Sequence, residues 1–233
     1  MMDWQLLIFG VILGWLTFQI YFYWNDRKLL HSVTRSNRGT ESERQLVLRL
    51  LKLGFPPQAV YHDLYLSKGN GFYSQIDAVL ATKVGLIVFE VKKYKGWLYG
   101  TGSQQKWTQV LNYGKQKYGF YNPILQNKKH IQELKNQTTL FQSIPIFSVV
   151  VFFGDCVFKD ISYIPQNTYL IKENRLKEVI DTILKENQLT AYQDEDAVIR
   201  FLKNAVKNGE FISIQRKHEE NIKEQIGHHR IFD

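Results

Sequence analysis

The stretch QIDAVLATKVGLIVFEVK, residues 75–92, decides the fold. Gln75–Thr82 and Leu86–Lys92 are apolar runs of strand length, and Lys83–Gly85 between them has the composition of a tight turn. Each run carries an acid at one end: Asp77 enters the first and Glu90 leaves the second. Side chains alternate along a strand, so Glu90 and Lys92 share one face and Val91 takes the other. Gln75 and Asp77 share a face by the same rule. Pairing through the short turn would bring Asp77 and Glu90 together at one end of the hairpin. Two adjacent carboxylates repel unless a cation neutralises them. With oxygen donors and no nearby cysteine, that cation would be hard, Mg²⁺ or Mn²⁺. A lysine on the same face suits the activation of water or the stabilisation of a charged phosphoryl transition state. The bland alternative is an ion pair on a solvated strand edge.

Outward from this hairpin, periodicity assigns the remaining elements. Glu43–Leu53 places Leu46, Val47, Leu50 and Leu51 on one helical stripe, ended near Gly54 and Pro56. Glu43 falls on that stripe and Glu41 on the polar side. Val60–Leu66 reads as a strand, and Gly96–Thr101 as a continuation of the same sheet. Residues 102–121 read as an aromatic, basic loop. Asn122 caps a helix that starts at Pro123 and runs to Phe141. Ile146–Phe153 reads as a buried strand, with Asp155 and Cys156 in a turn after it. Asn174–Glu186 and Asp194–Lys207 read as two further helices, and the polar tail from Gly209 as loosely ordered.

The N-terminus differs in kind. WQLLIFGVILGWLTFQIYFYW, residues 4–24, carries no charge. As a helix it covers about 30 Å, one hydrocarbon core. Trp4, Tyr21, Tyr23 and Trp24 stand where interfacial aromatics belong. A cleaved signal peptide is the rival, but the leader MMD is not basic and no small-residue cleavage site follows. Arg27, Lys28, Arg35 and Arg38 follow the span, which places the remainder of the chain on the cytoplasmic side. The chain has 233 residues, 44% hydrophobic and 22% charged, with net charge +8. Those values admit a packed domain and are compatible with a polyanionic partner. The single cysteine, Cys156, excludes an internal disulfide and a cysteine-rich zinc site.

In order, Gly39-x-x-Ser42-Glu43-x-x-Leu46, Gln75-Ile76-Asp77, Gly85-Leu86-Ile87-Val88-Phe89-Glu90-Val91-Lys92, Tyr94-x-Gly96, Trp107 and Asn122-Pro123-x-x-Gln126 resemble the nuclease-related domain. That family lies within the PD-(D/E)xK nuclease superfamily. Ser42 departs from the glycine usual before the helix glutamate. The resemblance implies a restriction-endonuclease-like three-layer α/β core with a central mixed sheet, here preceded by one transmembrane helix. Together with the apolar span, it divides the chain into an anchor (1–24), a basic linker (25–37), the nuclease-like domain (38–158), an α/β extension (159–208) and a polar tail (209–233); the anchor and residues 160–233 lie outside the resemblance. It implies Asp77, Glu90 and the Val91 carbonyl as Mg²⁺ or Mn²⁺ ligands, Lys92 and Glu43 as catalytic partners, and Gln75 and Gln126 at the border. Trp107, Lys128 and Lys129 are the expected nucleic-acid contacts, though a buried Trp107 and a solvated lysine face are the simpler readings. The expected activity is hydrolysis of phosphodiester bonds in nucleic acid, DNA first. The alternative is a nucleic-acid-binding or protein-interaction scaffold without turnover.

Overall fold

The computed structural model describes residues 4–69, 71–190 and 192–226. The decisive stretch folds as read. β2 (Tyr73–Thr82) and β3 (Gly85–Lys93) form an antiparallel hairpin. β1 (Val60–Ser67) pairs with β2, and β7 (Ile146–Phe153) runs parallel to β3. β9 (Thr168–Lys172) adds to β7, giving the mixed order β1-β2-β3-β7-β9. This strand, and β8 (Cys156–Ser162), carry too little apolar pattern to stand out in sequence.

Helices cover both faces. α2 (Glu41–Lys52) and α4 (Leu176–Glu186) pack Leu46, Leu50, Ile180 and Ile183 on Ile87, Phe89 and Val91. α3 (Pro123–Gln137) and α5 (Glu195–Asn208) pack Leu134 and Leu202 on the opposite face, against Leu86 and Val88. Amphipathic stripes at helical spacing account for each placement. The result is the three-layer α/β core.

Gly96–Thr101 does not extend that sheet. As β4 it belongs to a second mixed sheet of order β6-β5-β4-β8. The expected loop of 102–121 is mostly strand: β5 (Lys106–Leu111) and β6 (Gln116–Tyr121) form a hairpin. Its alternation is blurred because both faces of β6 are largely exposed, which removes the apolar period from the sequence. Cys156 opens β8 and is buried against the second sheet's core, so it is not part of a turn.

Two terminal expectations also change. α1 runs from Trp4 to His31 without a break, through most of the expected linker. Leu29 and Leu30, with Val33 just beyond, pack on the α2-side core, and Lys52 meets Asp26 at 2.6 Å. Among the described residues α1 is the one helix long and apolar enough to cross a membrane. The tail contains α6 (Ile212–Ile226), whose His218 ring lies 2.9 Å from the Tyr73 carbonyl. The rest of the expected flexible tail, 227–233, lies outside the described residues.

Gly85 fixes the joint between β3 and β7. Its φ is 136°, and a Cβ there would lie 2.2 Å from the Pro145 carbonyl oxygen. That carbonyl accepts the Leu86 N–H at 2.9 Å, so it cannot retreat without losing a ladder bond. Gly85→Ala is therefore expected to cost about 1–3 kcal/mol, measured by urea unfolding of the full chain in detergent.

Candidate functional site

The site grows from an irregularity in β1 and β2. His62 pairs with Ala78 and Leu64 with Ile76, leaving Asp63 and Asp77 between them without a ladder pairing. Asp63 is in the left-handed region, φ 56°. Tyr61 and Leu64 share one core although three residues apart, and so do Ile76 and Val79. Strict alternation would put each pair on opposite faces. Both strands thus switch faces at these aspartates, and two carboxyls emerge inside an otherwise apolar ladder.

Asp63 is neutralised locally. Arg38 Nε donates to its Oδ2 at 2.5 Å, and the Gln75 amide donates to its Oδ1 at 2.7 Å. Gln75, expected at the site border, is thereby drawn to Asp63. Asp77 turns to β3. The β2–β3 ladder ends at Ala78–Phe89, and beyond it the Val91 N–H donates to Asp77 Oδ2 at 2.7 Å. Glu90, Val91 and Lys92 remain paired to β7. The carboxylate fills the gap where the two strands part.

Glu90 is 1% exposed. Its Oε1 accepts from Lys92 Nζ at 2.8 Å. Its Oε2 has no hydrogen-bond partner and lies 3.5 Å from His130 Nε2. Burial pushes the Glu90 carboxyl up, but Lys92 and His130 outweigh it and hold the group below its usual range. Asp77 goes the other way: burial, then the charges of Glu90 and Glu43, raise it well above an ordinary aspartate despite Lys92 and the Val91 N–H. Lys92 is pulled down by burial and more strongly up by Glu90 and Asp77, so it stays an ammonium.

Glu43 completes the surroundings from α2, and the helix phase is the one expected. Glu43 is buried, whereas Glu41 is exposed and pairs with Lys93 at 3.0 Å. Thr40 caps α2, accepting the Glu43 N–H at 3.3 Å and donating its hydroxyl to Glu43 Oε1 at 2.7 Å. Glu43 Oε2 lies 3.6 Å from His62 Nε2, and neither atom has a hydrogen-bond partner. Gly39, at φ 59°, admits the crowding: a Cβ there would stand 2.4 Å from Glu43 Oε2 and 2.7 Å from His62 Nε2.

Sequence reading missed two residues of α3. Asn127 is fully buried and donates to the Val88 carbonyl and to Ser148 Oγ, both at 2.9 Å, which bolts α3 onto β3 and β7. That bolt sets His130 between Glu90 and Glu133. Burial opposes protonation of His130, but Glu133 and Glu90 prevail and lift it to about 9. The one-turn spacing from Asn127 to His130 was visible, but its target on another element was not. Gln126 lies half-buried on the first turns of the same helix, and Lys128 and Lys129 are exposed on it.

Trp107 is corrected outright as a nucleic-acid contact. It is fully buried, stacked on Phe152 with ring centroids 6.3 Å apart, and its indole N–H donates to the Thr101 carbonyl. No base can reach it.

These positions coincide with a known pattern: residues 38–153 match the family described as the nuclease-related domain. The chain belongs to this family. An uncharacterized protein of Bacillus anthracis is 28% identical over 157 residues, which are 66% of this chain and 72% of that relative. No solved structure matches significantly. Within this nuclease-related domain, no three of the described His, Cys, Asp and Glu residues are grouped closely enough to hold a metal ion. The junction of β2 and β3 offers two carboxylates, Asp77 and Glu90. That donor set still fits Mg²⁺, which keeps several waters and commonly takes only one or two carboxylates from a protein. The orphaned Glu90 Oε2 and the excess negative charge around Asp77 are what such a cation would satisfy.

The charge crowding has a measurable sign. Because Asp77 is raised in the folded state, its cost is absent below about pH 3.8, the unfolded value, and grows as pH rises. Asp77→Asn keeps an acceptor for the Val91 N–H and removes the charge. Chelator-treated Asp77→Asn should melt above wild type at pH 7, with the gap closing toward pH 4 in thermal unfolding.

Proposed function

We propose that this chain is a membrane-anchored, metal-dependent nuclease that hydrolyses phosphodiester bonds, with DNA the expected polymer. One observation carries the reading: Asp77 takes the Val91 N–H where β2 and β3 part, next in sequence to a buried Glu90 that pairs with the Lys92 ammonium and keeps one oxygen unpartnered. A buried acid is costly unless something compensates it. Asp77 has a structural use as acceptor of the Val91 N–H, but that use needs no second buried acid with an unpartnered oxygen beside it.

Asp77 and Glu90, with the Val91 carbonyl, are the groups proposed to hold Mg²⁺ or Mn²⁺. When bound, the ion supplies Lewis acidity to the phosphoryl group and lowers the pKa of coordinated water. Lys92 donates hydrogen bonds to the attacking water or to a phosphoryl oxygen as charge builds there. Held as an ammonium, it acts through charge rather than as a base. Glu43 sets the acidic potential from α2, and His130 holds Glu90 in place from α3.

The test uses full-length protein in detergent, labelled single- and double-stranded DNA and RNA, and added Mg²⁺, Mn²⁺ or EDTA. Cleavage should require the cation. Asp77→Asn and Glu90→Gln should reduce it to background and weaken Mn²⁺ binding by calorimetry. Lys92→Gln should cost about 10²–10³ in rate, and Glu41→Ala should leave it unchanged. Cation-independent cleavage, or full cleavage by Asp77→Asn, overturns the assignment. A binding module without turnover is the second reading, favoured by the small number of grouped ligands. It predicts nucleic-acid binding with no cleavage under any condition.

For the anchor, the support is the uncharged stretch 4–24, whose described apolar side chains are exposed, followed by basic residues. Protease added to intact cells should leave the domain whole, and opening the membrane should expose it. Digestion in intact cells, or recovery of full-length protein in the soluble fraction, contradicts the topology.

A further inference from the structure

From Val91 to Gln132 the sequence holds eight lysines and no acid. This run contains the whole β4–β5–β6 portion of the second sheet. A solvated surface ordinarily mixes both signs of charge. β6 is one of the two edge strands of this sheet, and Tyr113, Tyr118 and Tyr121 are 94%, 51% and 47% exposed on it and its turn. Lys106, Lys115 and Lys117 stand exposed among them. Lysines alone would guard a strand edge against pairing. They do not explain exposed aromatic rings, whose faces burial would normally claim.

We propose that the β5–β6 hairpin is a docking surface for single-stranded nucleic acid, with the tyrosine rings stacking on bases and the lysines tracking phosphates. Interleaved cations and flat aromatic faces are the chemistry that recognises an unpaired strand, because a duplex hides its base faces. The hairpin is also joined to the site at its Tyr121 end, by two links. Tyr94, two residues after Lys92, packs its ring on Phe120 of β6 at 4.4 Å. Beyond Tyr121 the chain enters α3, which carries His130 to Glu90. A strand lying along β6 is thus led toward the acids. This surface rests on the nuclease reading for its purpose, but its existence is tested by binding alone.

Full-length protein in detergent is titrated with a fluorescent oligo-dT and with a duplex of equal length, in EDTA, by anisotropy. The single strand should bind more tightly. Tyr113→Ala and Tyr118→Ala should each weaken it about five- to a hundredfold, with unchanged melting temperature. Tyr163→Ala, an exposed tyrosine beyond β8, should leave it unaltered. The Lys115→Gln/Lys117→Gln pair should lower the slope of log affinity against log salt by about 1.4, roughly 0.7 per lost phosphate contact. Equal binding of duplex and single strand, or wild-type binding by both tyrosine variants, overturns the surface. So does loss of binding to anionic vesicles in the lysine pair while oligo-dT binding is retained. The two proposals fail separately: hairpin-dependent binding without any cleavage removes the nuclease reading alone, and cation-dependent cleavage with hairpin-independent binding removes this surface alone.

Discussion

The parting of β2 from β3 just past the Ala78–Phe89 pair is the constraint on which the rest of the nuclease-related domain depends. A strand that leaves its neighbour exposes a backbone N–H, and a buried orphan donor is costly. Here the Asp77 carboxylate takes the Val91 N–H. The substitution of a side chain for a strand satisfies the backbone and imports a negative charge into the sheet. The other acids nearby each have partners of their own: Lys92 and His130 crowd Glu90, Arg38 and Gln75 hold Asp63, and the Thr40 hydroxyl donates to Glu43.

On its other edge β3 runs alongside β7 from Leu86 to Lys93, past the point where β2 has left it. Past Lys93 the chain leaves the main sheet for β4, and Phe152 of β7 stacks with Trp107 at the base of the second sheet. One strand therefore serves two layers. Its first half belongs to the main core, and its end joins the acids to the hairpin sheet. The buried aromatics Trp107, Phe120 and Phe152, with the half-buried Tyr94, pack that junction, which explains why Trp107 belongs to packing and not to recognition.

Much of this was legible in the chain. The β2–β3 hairpin, the α2 phase that turns Glu43 inward and the Asn122 cap follow from periodicity and local hydrogen bonding. Convergence of Asp77 and Glu90 followed from pairing through a short turn. What the sequence hid is non-local. The face switch at Asp63 and Asp77 needs a left-handed aspartate in a buried strand, which no pattern announces. His130 finds Glu90 only once α3 is bolted down by Asn127. The hairpin escaped because β6, exposed on both faces, carries no apolar period.

The unbroken end of α1 has a mechanical consequence. Its last turns are part of the domain core, through Leu29, Leu30 and the Lys52–Asp26 pair. No slack chain separates helix from domain, so a tilt or spin of one is a tilt or spin of the other. With α1 embedded in a bilayer, the domain could not swing freely on a tether. Its height and heading above the lipid would be set by the helix, and with them the direction in which the β2–β3 junction faces.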